Sequence, residues 1–117
     1  MIFLACIAQI FIAQALALTK DNVLGTWSEQ GCSQEVVRLQ NWGHAHYKIW
    51  AGAQFGWIEK NYYWELTENT VSVFEIKNDP NSLFETWEIT EVQDKQLKAN
   101  RKAKNRDARS VSFTACE

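Results

Sequence analysis

The feature that most constrains the fold is a series of short, strand-like segments separated by turn-forming residues at intervals of about ten residues. The segments are rich in Val, Ile, Trp, Tyr, Phe and Thr, which suit a pleated, half-buried strand. The gaps hold Gly, Asn and Asp, and the single proline, Pro80, lies in a gap. The predicted strands are 23–28, 36–39, 45–51, 57–66, 71–77, 83–92, 97–99 and 111–115. This pattern is typical of an antiparallel all-β meander, and no segment makes a convincing helix.

Eight short strands joined by short turns fit two architectures, a closed up-and-down barrel or a sandwich. An open sheet would leave unpaired edges on a chain that is rich in aromatic residues, and closure removes those edges. We therefore predict an all-β fold, an antiparallel eight-stranded up-and-down barrel.

The N-terminal stretch predicts export. Residues 1–17 carry no charged side chain, are almost wholly apolar and end in the small-x-small triplet Ala15-Leu16-Ala17. The run is too short to span a bilayer comfortably, and no stop-transfer pattern follows it. We interpret residues 1–17 as a cleaved signal peptide and residues 18–117 as a single domain, periplasmic or secreted and not membrane-spanning after cleavage. An uncleaved N-terminal anchor is the alternative.

The cysteine count also fits export. Removal of the signal peptide would remove Cys6 and leave Cys32 and Cys116. An even pair in an exported chain favours one disulfide, and two unrelated buried thiols are the alternative. In a closed barrel the end of the last strand lies beside the start of the first, so this pairing requires the chain after Trp27 to bend back. Gly31 would allow that bend.

The first predicted strand begins Gly25-x-Trp27, and in this it resembles lipocalin-like (calycin) barrels. The segment EITEVQDKQLK, residues 88–98, also resembles the late strand–turn–strand of small bacterial lipocalin-like domains. The glycine would let the backbone cross close to the barrel floor, and the tryptophan ring would plug that end. The resemblance implies that an arginine from a late strand stacks over Trp27. Arg101 is the candidate, because it is in phase with two apolar residues of its strand, and Arg109 is the alternative.

Six tryptophans are the strongest compositional oddity. They fit either an aromatic-lined cavity for a flat or apolar small molecule, or an interior filled by the protein's own large side chains. Trp50 and Trp57 share strand faces with charged residues, so we expect some rings to be exposed. Adjacent residues of a strand face opposite ways, so Tyr63 and Trp64 cannot both face one cavity. The predicted ligand wall or rim consists of Tyr47, Trp50, Trp57, Tyr63, Trp64 and Trp87.

The charged residues are unevenly distributed. The middle of the chain has a net negative character from Glu59, Glu65, Glu75, Glu85, Glu88 and Glu91. Strand alternation puts charged residues on the outer face of most strands, so we expect no catalytic role for paired glutamates. The segment Lys95–Arg109 carries seven basic residues against Asp107. It is interpreted as a solvated hairpin tip, and the alternative is a surface for an acidic protein partner or for anionic lipid or glycan groups.

Candidate chemistry is sparse. His44 and His46 share a strand face and so could share a metal, but no third ligand is identifiable, and we predict no metal site. The chain has no nucleophile elbow, P-loop, Cys-x-x-Cys or zinc-ligand spacing, so we predict neither an enzyme nor a cofactor. The formal net charge of −2 and the predicted export argue against nucleic acid as a partner.

Two functions remain open. The favoured one is an exported protein that binds a small, partly apolar ligand inside the barrel. The alternative is a protein-binding module, such as an inhibitor or immunity protein of a secreted enzyme or toxin. The first function predicts a pocket that is closed at one end, beside Trp27. The second predicts a filled barrel with a protruding loop that is rich in Trp or in Lys and Arg.

Overall fold

A computed structural model describes residues 18–116, which form a closed barrel of eight antiparallel strands. Each strand pairs with the next, and the last pairs with the first, which confirms the predicted all-β up-and-down barrel and excludes the sandwich. A four-residue helix, α1 (Lys20–Val23), precedes the barrel, and 3₁₀ turns occupy Asn41–Gly43 and Pro80–Ser82. The strands are β1 (Gly25–Ser28), β2 (Val36–Leu39), β3 (His44–Trp50), β4 (Trp57–Thr67), β5 (Thr70–Phe74), β6 (Leu83–Gln93), β7 (Gln96–Ala103) and β8 (Arg109–Cys116).

The strand predictions differ from the structure mainly at the strand ends. Val23 ends α1 and does not begin β1, because Thr19 and Asn22 close a helical turn in which Thr19 N donates a hydrogen bond to Asn22 Oδ1 at 2.9 Å. β7 is longer than predicted and continues to Ala103. The predicted signal peptide, residues 1–17, lies outside the described residues. From residue 18 to residue 116, no helix is long and apolar enough to cross a membrane.

The barrel has two different ends. The closed end carries α1 and the β2–β3, β4–β5 and β6–β7 connections; the open end carries the other four connections. At the closed end Val23 is fully buried, and its carbonyl accepts a hydrogen bond from Trp27 Nε1 at 2.8 Å. The tryptophan thus plugs this end together with α1. The fully buried large side chains of the interior include Leu39, Val71, Val73, Trp87, Ile89, Leu97 and Phe113.

Gly25 has a different role from the one expected. A Cβ atom added at Gly25 would meet no atom within 4 Å, so the backbone does not make a close approach there. Its φ is +125°, however, which L side chains rarely adopt. Glycine is needed at the start of β1 because of the backbone conformation.

The Gly25→Ala variant is expected to lower the free energy of unfolding by about 1 to 3 kcal/mol, the cost of one strained backbone position. The loss arises from strain alone, since the added methyl group has open space around it. Urea unfolding followed by tryptophan fluorescence measures the change. A variant as stable as the parent protein would contradict the strain argument.

The segment between β1 and β2 bends back along the barrel seam, where β1 pairs with β8. Cys32 forms a disulfide with Cys116, with the two Cα atoms 5.6 Å apart, so the predicted pairing is confirmed. Gly31 adopts a φ of +132°, and its N–H donates a hydrogen bond to Ser28 Oγ at 2.8 Å. Cys116 lies opposite Thr26 in the β1–β8 ladder. The disulfide therefore fastens the loop against the outside of the seam.

Candidate functional site

A cavity of about 440 Å³ enters the barrel at its open end. It extends inward to Trp27 and Phe113, so it reaches the aromatic residues above the barrel floor. Apolar side chains of β3 and β6 form one part of its wall, and charged side chains from the end of β1 and from β6, β7 and β8 form another. The barrel interior is therefore filled at the closed end and hollow at the open end.

The aromatic wall depends on a β-bulge in β6. Leu83 pairs with Phe74 and Glu85 pairs with Val73, so Phe84 is an extra residue with no partner on β5. Such a bulge changes the direction of the side chains around it. As a result, Phe84 and Glu85 both line the cavity although they are adjacent in sequence.

Three aromatic rings pack around this bulge. Phe84 stacks on Tyr62 with the ring centroids 4.6 Å apart and the planes at 12°. Tyr47 meets both rings edge-on, at 4.9 Å from Tyr62 and 5.7 Å from Phe84. These contacts hold Tyr47 and Phe84 in fixed orientations at the cavity wall.

Next to the rings lies a buried ion pair. The carboxylate of Glu85 is fully buried and accepts two hydrogen bonds from Arg101, from Nε at 2.5 Å and from Nη2 at 3.0 Å. The hydroxyl group of Tyr47 donates a further, short hydrogen bond to Glu85. The guanidinium group of Arg101 also lies over the rings of Trp87 and Phe113, at 5.8 and 5.3 Å from their centroids. Bidentate pairing and ring stacking together fix the arginine in the barrel.

A second carboxylate extends the network to the cavity mouth. Glu29, the residue after β1, accepts a hydrogen bond from Arg101 Nη1 and two from Arg109, from Nη1 at 2.7 Å and Nη2 at 2.9 Å. Side-chain exposure rises outward along the network, from 1% for Glu85 to 20% for Glu29 and 61% for Arg109. The four ionic groups therefore run from the barrel interior to solvent.

Burial and pairing set the protonation of this network. Burial raises the pKa of Tyr47 well above its ordinary value, and the charge of Glu85 raises it further. Burial opposes the ionised form of Glu29, but the hydrogen bonds and charges of Arg109 and Arg101 outweigh it and lower the pKa. Burial likewise opposes the charge of Arg101, and Glu85 outweighs it and raises the pKa of the arginine. Near neutral pH Glu29 is therefore ionised, and Arg101 and Arg109 are charged.

The predicted ligand-wall residues are distributed over several places. Tyr47 lines the cavity, and Trp50 and Trp57 lie outside it at the open end. Tyr63 faces outward beside His44, with the ring centroids 5.7 Å apart. Trp64 and Trp87 are buried and do not line the cavity, and Trp64 Nε1 donates a hydrogen bond to Gln40 O at 2.9 Å.

Three expectations about charged residues need correction. Arg101 lies over Trp87 and Phe113 and not over Trp27, because it occupies the open-end half of β7, opposite Trp87. Glu85 is buried, whereas charged residues were expected on the outer face of most strands. Glu59, Glu65, Glu75 and Glu88 are exposed as predicted. The basic segment 95–109 is also not a uniformly solvated tip, because Arg101 points into the barrel.

The two histidines lie on the outer surface. His46 Nδ1 donates a hydrogen bond to Asn61 Oδ1 at 2.8 Å, and His46 Nε2 is 2.9 Å from Glu59 Oε1. The Asn61 and Glu59 acceptors favour the doubly protonated ring and raise the pKa of His46. Among residues 18–116, no three His, Cys, Asp or Glu side chains are grouped so that they could hold a metal ion.

The Glu59→Gln variant is expected to lower the pKa of His46 toward its ordinary value. Because the pKa of His46 is raised in the folded protein, its contact with Glu59 stabilises the fold fully below the unfolded-state pKa. This stabilisation is lost as the pH rises through the folded-state pKa. NMR titration of the His46 ring protons measures the shift. The control is Glu65→Gln, which changes an exposed glutamate of the same strand and should leave the His46 titration as it is in the parent protein. If the His46 pKa in Glu59→Gln equals that of the parent protein, Glu59 does not raise it.

Exposed aromatic residues occur at both ends of the barrel. At the open end Trp50 and Trp57 pack edge to face with centroids 5.3 Å apart, and Phe55 is exposed in the turn between them. Lys48 lies over the Trp57 ring at 5.2 Å. At the closed end Trp42 is 91% exposed and has a φ of +73°, which is unusual for a bulky residue.

Comparison of the chain with models of known protein families, with curated proteins and with solved structures finds no match. Function is therefore inferred from the cavity and from the residues around it.

Proposed function

We propose that this protein is an exported, lipocalin-like barrel that binds a small, partly apolar ligand in the open-end cavity and catalyses no reaction. The observation that carries the proposal is the cavity itself. Its volume of about 440 Å³ lies within the range of small-molecule sites, which is roughly 300 to 1,000 Å³. Such sites combine an apolar wall with a few fixed polar groups.

Both parts of such a site are present. Tyr47, Ile49 and Phe84 offer an apolar and aromatic wall to the body of a ligand. Arg101 and Glu85 are held by each other and by packed rings, so their polar atoms keep fixed positions near that wall. A ligand would lose little binding energy in ordering the site, because these groups are already oriented.

Two further features support export. The apolar run at residues 1–17 has the length and the ending of a secretory signal peptide. The Cys32–Cys116 disulfide belongs to oxidising compartments such as the periplasm or the extracellular space. We therefore place the mature protein in one of these two compartments.

A neutral fluorescent probe tests the cavity. N-phenylnaphthylamine is expected to bind residues 18–117 saturably and to gain fluorescence. The Ala103→Trp variant fills part of the cavity, because Ala103 lines it, and should weaken the binding by about tenfold or more. Thr114→Trp, at an exposed site on the neighbouring strand, is the matched control and should bind as the parent protein does. Equal affinity of the parent protein and Ala103→Trp, or no binding at all, would contradict the proposal.

The exposed aromatic residues of the β3–β4 hairpin favour a second candidate, a protein-binding module. Trp50, Phe55 and Trp57 are 50%, 69% and 40% exposed, and clustered exposed tryptophans are frequent at protein interfaces. The basic residues of segment 95–109 would then contact an acidic partner. Native mass spectrometry of the protein purified from its own host separates the candidates. A small bound species that organic solvent removes supports the first, and the bare oxidised chain with a co-purifying protein supports the second.

A further inference from the structure

We propose that Glu29 occupies the place of a ligand's anionic group, and that the cavity binds amphipathic monoanions whose carboxylate replaces Glu29 between Arg101 and Arg109. This inference rests on the proposed ligand-binding function and adds the chemical class of the ligand. It follows from the way in which two arginines surround one replaceable carboxylate.

The geometry at Glu29 is that of a bound carboxylate. One oxygen faces Arg109 Nη1 at 2.7 Å, and the other contacts both Arg109 Nη2, at 2.9 Å, and Arg101 Nη1. Paired N–H donors of a guanidinium group match the two oxygens of a carboxylate. The two arginines, on the neighbouring strands β7 and β8, therefore form an anion site that the protein fills with its own side chain.

The two carboxylates of the network differ in how firmly they are held. Glu85 lies on β6, is fully buried and is fixed by both Arg101 and Tyr47. Glu29 follows the last residue of β1, and its side chain is 20% exposed at the cavity mouth. Rotation of that side chain into solvent frees the anion site without any change in the barrel strands.

The charge balance gives the class of ligand. With Glu29 in place, two carboxylates face two guanidinium groups and the network is neutral. When Glu29 turns outward, Arg101 stays paired with Glu85, and one positive charge remains uncompensated. A single negative charge restores neutrality, so the site suits a monoanion. In the empty cavity Glu29 returns, because its carboxylate regains the hydrogen bonds from Arg101 and Arg109.

The apolar part of the ligand has a surface next to the anion site. Glu85, which is bonded to Arg101, is adjacent in sequence to Phe84, and Tyr47 contacts both of these residues. A ligand with its carboxylate between the arginines would thus lay an apolar or aromatic body along Tyr47, Phe84 and Ile49. A flat aromatic acid fits this arrangement.

Calorimetric titration with a matched pair of probes tests the inference. The probes are naphthylacetate, which carries a carboxylate, and naphthylethanol, which carries a hydroxyl group on the same framework. In the Glu29→Gln variant the arginines no longer have an internal anion, so naphthylacetate should bind about tenfold more tightly than it does to the parent protein. Naphthylethanol should bind both proteins alike. The Glu75→Gln variant removes an exposed carboxylate at the open end and should leave both affinities unchanged.

The outcomes distinguish this inference from the proposed function. If both probes gain affinity equally in Glu29→Gln, or if Glu75→Gln has the same effect, the inference is wrong. If N-phenylnaphthylamine and naphthylethanol bind and naphthylacetate binds no variant, the ligand-binding function stands and the inference fails. If neither probe binds any variant and N-phenylnaphthylamine does not bind either, both proposals fail. An independent variant, Arg109→Gln, should weaken naphthylacetate binding severalfold while naphthylethanol binding is retained, since Arg109 is mostly exposed and distant from the filled half of the barrel.

Discussion

The Arg101→Met variant is expected to lose about 4 kcal/mol of unfolding free energy. Met keeps an apolar stem but removes the guanidinium group, which pairs with Glu85 and lies over Trp87 and Phe113. The carboxylate of Glu85, which is fully buried, then keeps only the hydrogen bond from Tyr47. A buried charge that loses its partner is among the most destabilising of single changes. Urea unfolding of the parent protein and the variant measures the difference.

Two further variants make this test specific. Lys102→Met removes a positive charge from the next residue of β7, which is exposed, and should change the stability by less than about 0.5 kcal/mol. The double variant Glu85→Leu/Arg101→Met leaves no buried charge and should regain a large part of the loss. If Arg101→Met costs no more than Lys102→Met, the ion pair does not have the energetic role assigned to it.

The Cys32→Ser/Cys116→Ser double variant is expected to lose a similar amount, about 4 kcal/mol. The disulfide joins residues 84 positions apart and therefore restricts almost the whole unfolded domain. Its removal stabilises the unfolded chain by restoring conformational entropy, and the barrel contacts themselves stay intact. Urea unfolding of the double variant measures the loss.

Reduction of the parent protein is the natural control for the disulfide. Treatment with a thiol reductant should lower the stability by the same amount as the double substitution, and the reductant should leave the double variant unchanged. A double variant with the stability of the oxidised parent would show that the unfolded chain is already compact without the bond.

The fold could be predicted from the sequence to a large extent, because each strand has one apolar face and the turns are rich in Gly, Asn and Asp. Tyr47, Trp64, Val111 and Phe113 all face inward, as period-two alternation requires. The short helix α1 was missed, since four residues carry no periodicity that a sequence pattern could reveal. The sequence identified Gly25 as a required glycine, but the reason is its positive φ and not a lack of space around it.

The polar network was harder to predict, although the sequence contains part of the signal. Glu85 is in phase with Trp87 and Ile89, and Arg101 is in phase with Leu97 and Ala99. A carboxylate and a guanidinium group that both share an apolar strand face require each other as partners. Glu29 gives no such signal because it lies outside the strands, and the bulge at Phe84 breaks the alternation on which the prediction depends.

The division of the barrel into a filled half and a hollow half has a consequence for how such a protein can change. The filled half holds the strands together far from the mouth through buried side chains such as Leu39, Ile89 and Leu97. Mutations of these residues would therefore affect folding and stability. Residues such as Ile49 and Ala103 border empty space and can vary in size without opening a cavity in the packed core. A library restricted to these mouth positions should therefore give many folded proteins with different ligand preferences, as long as Glu85 and Arg101 are kept as a pair.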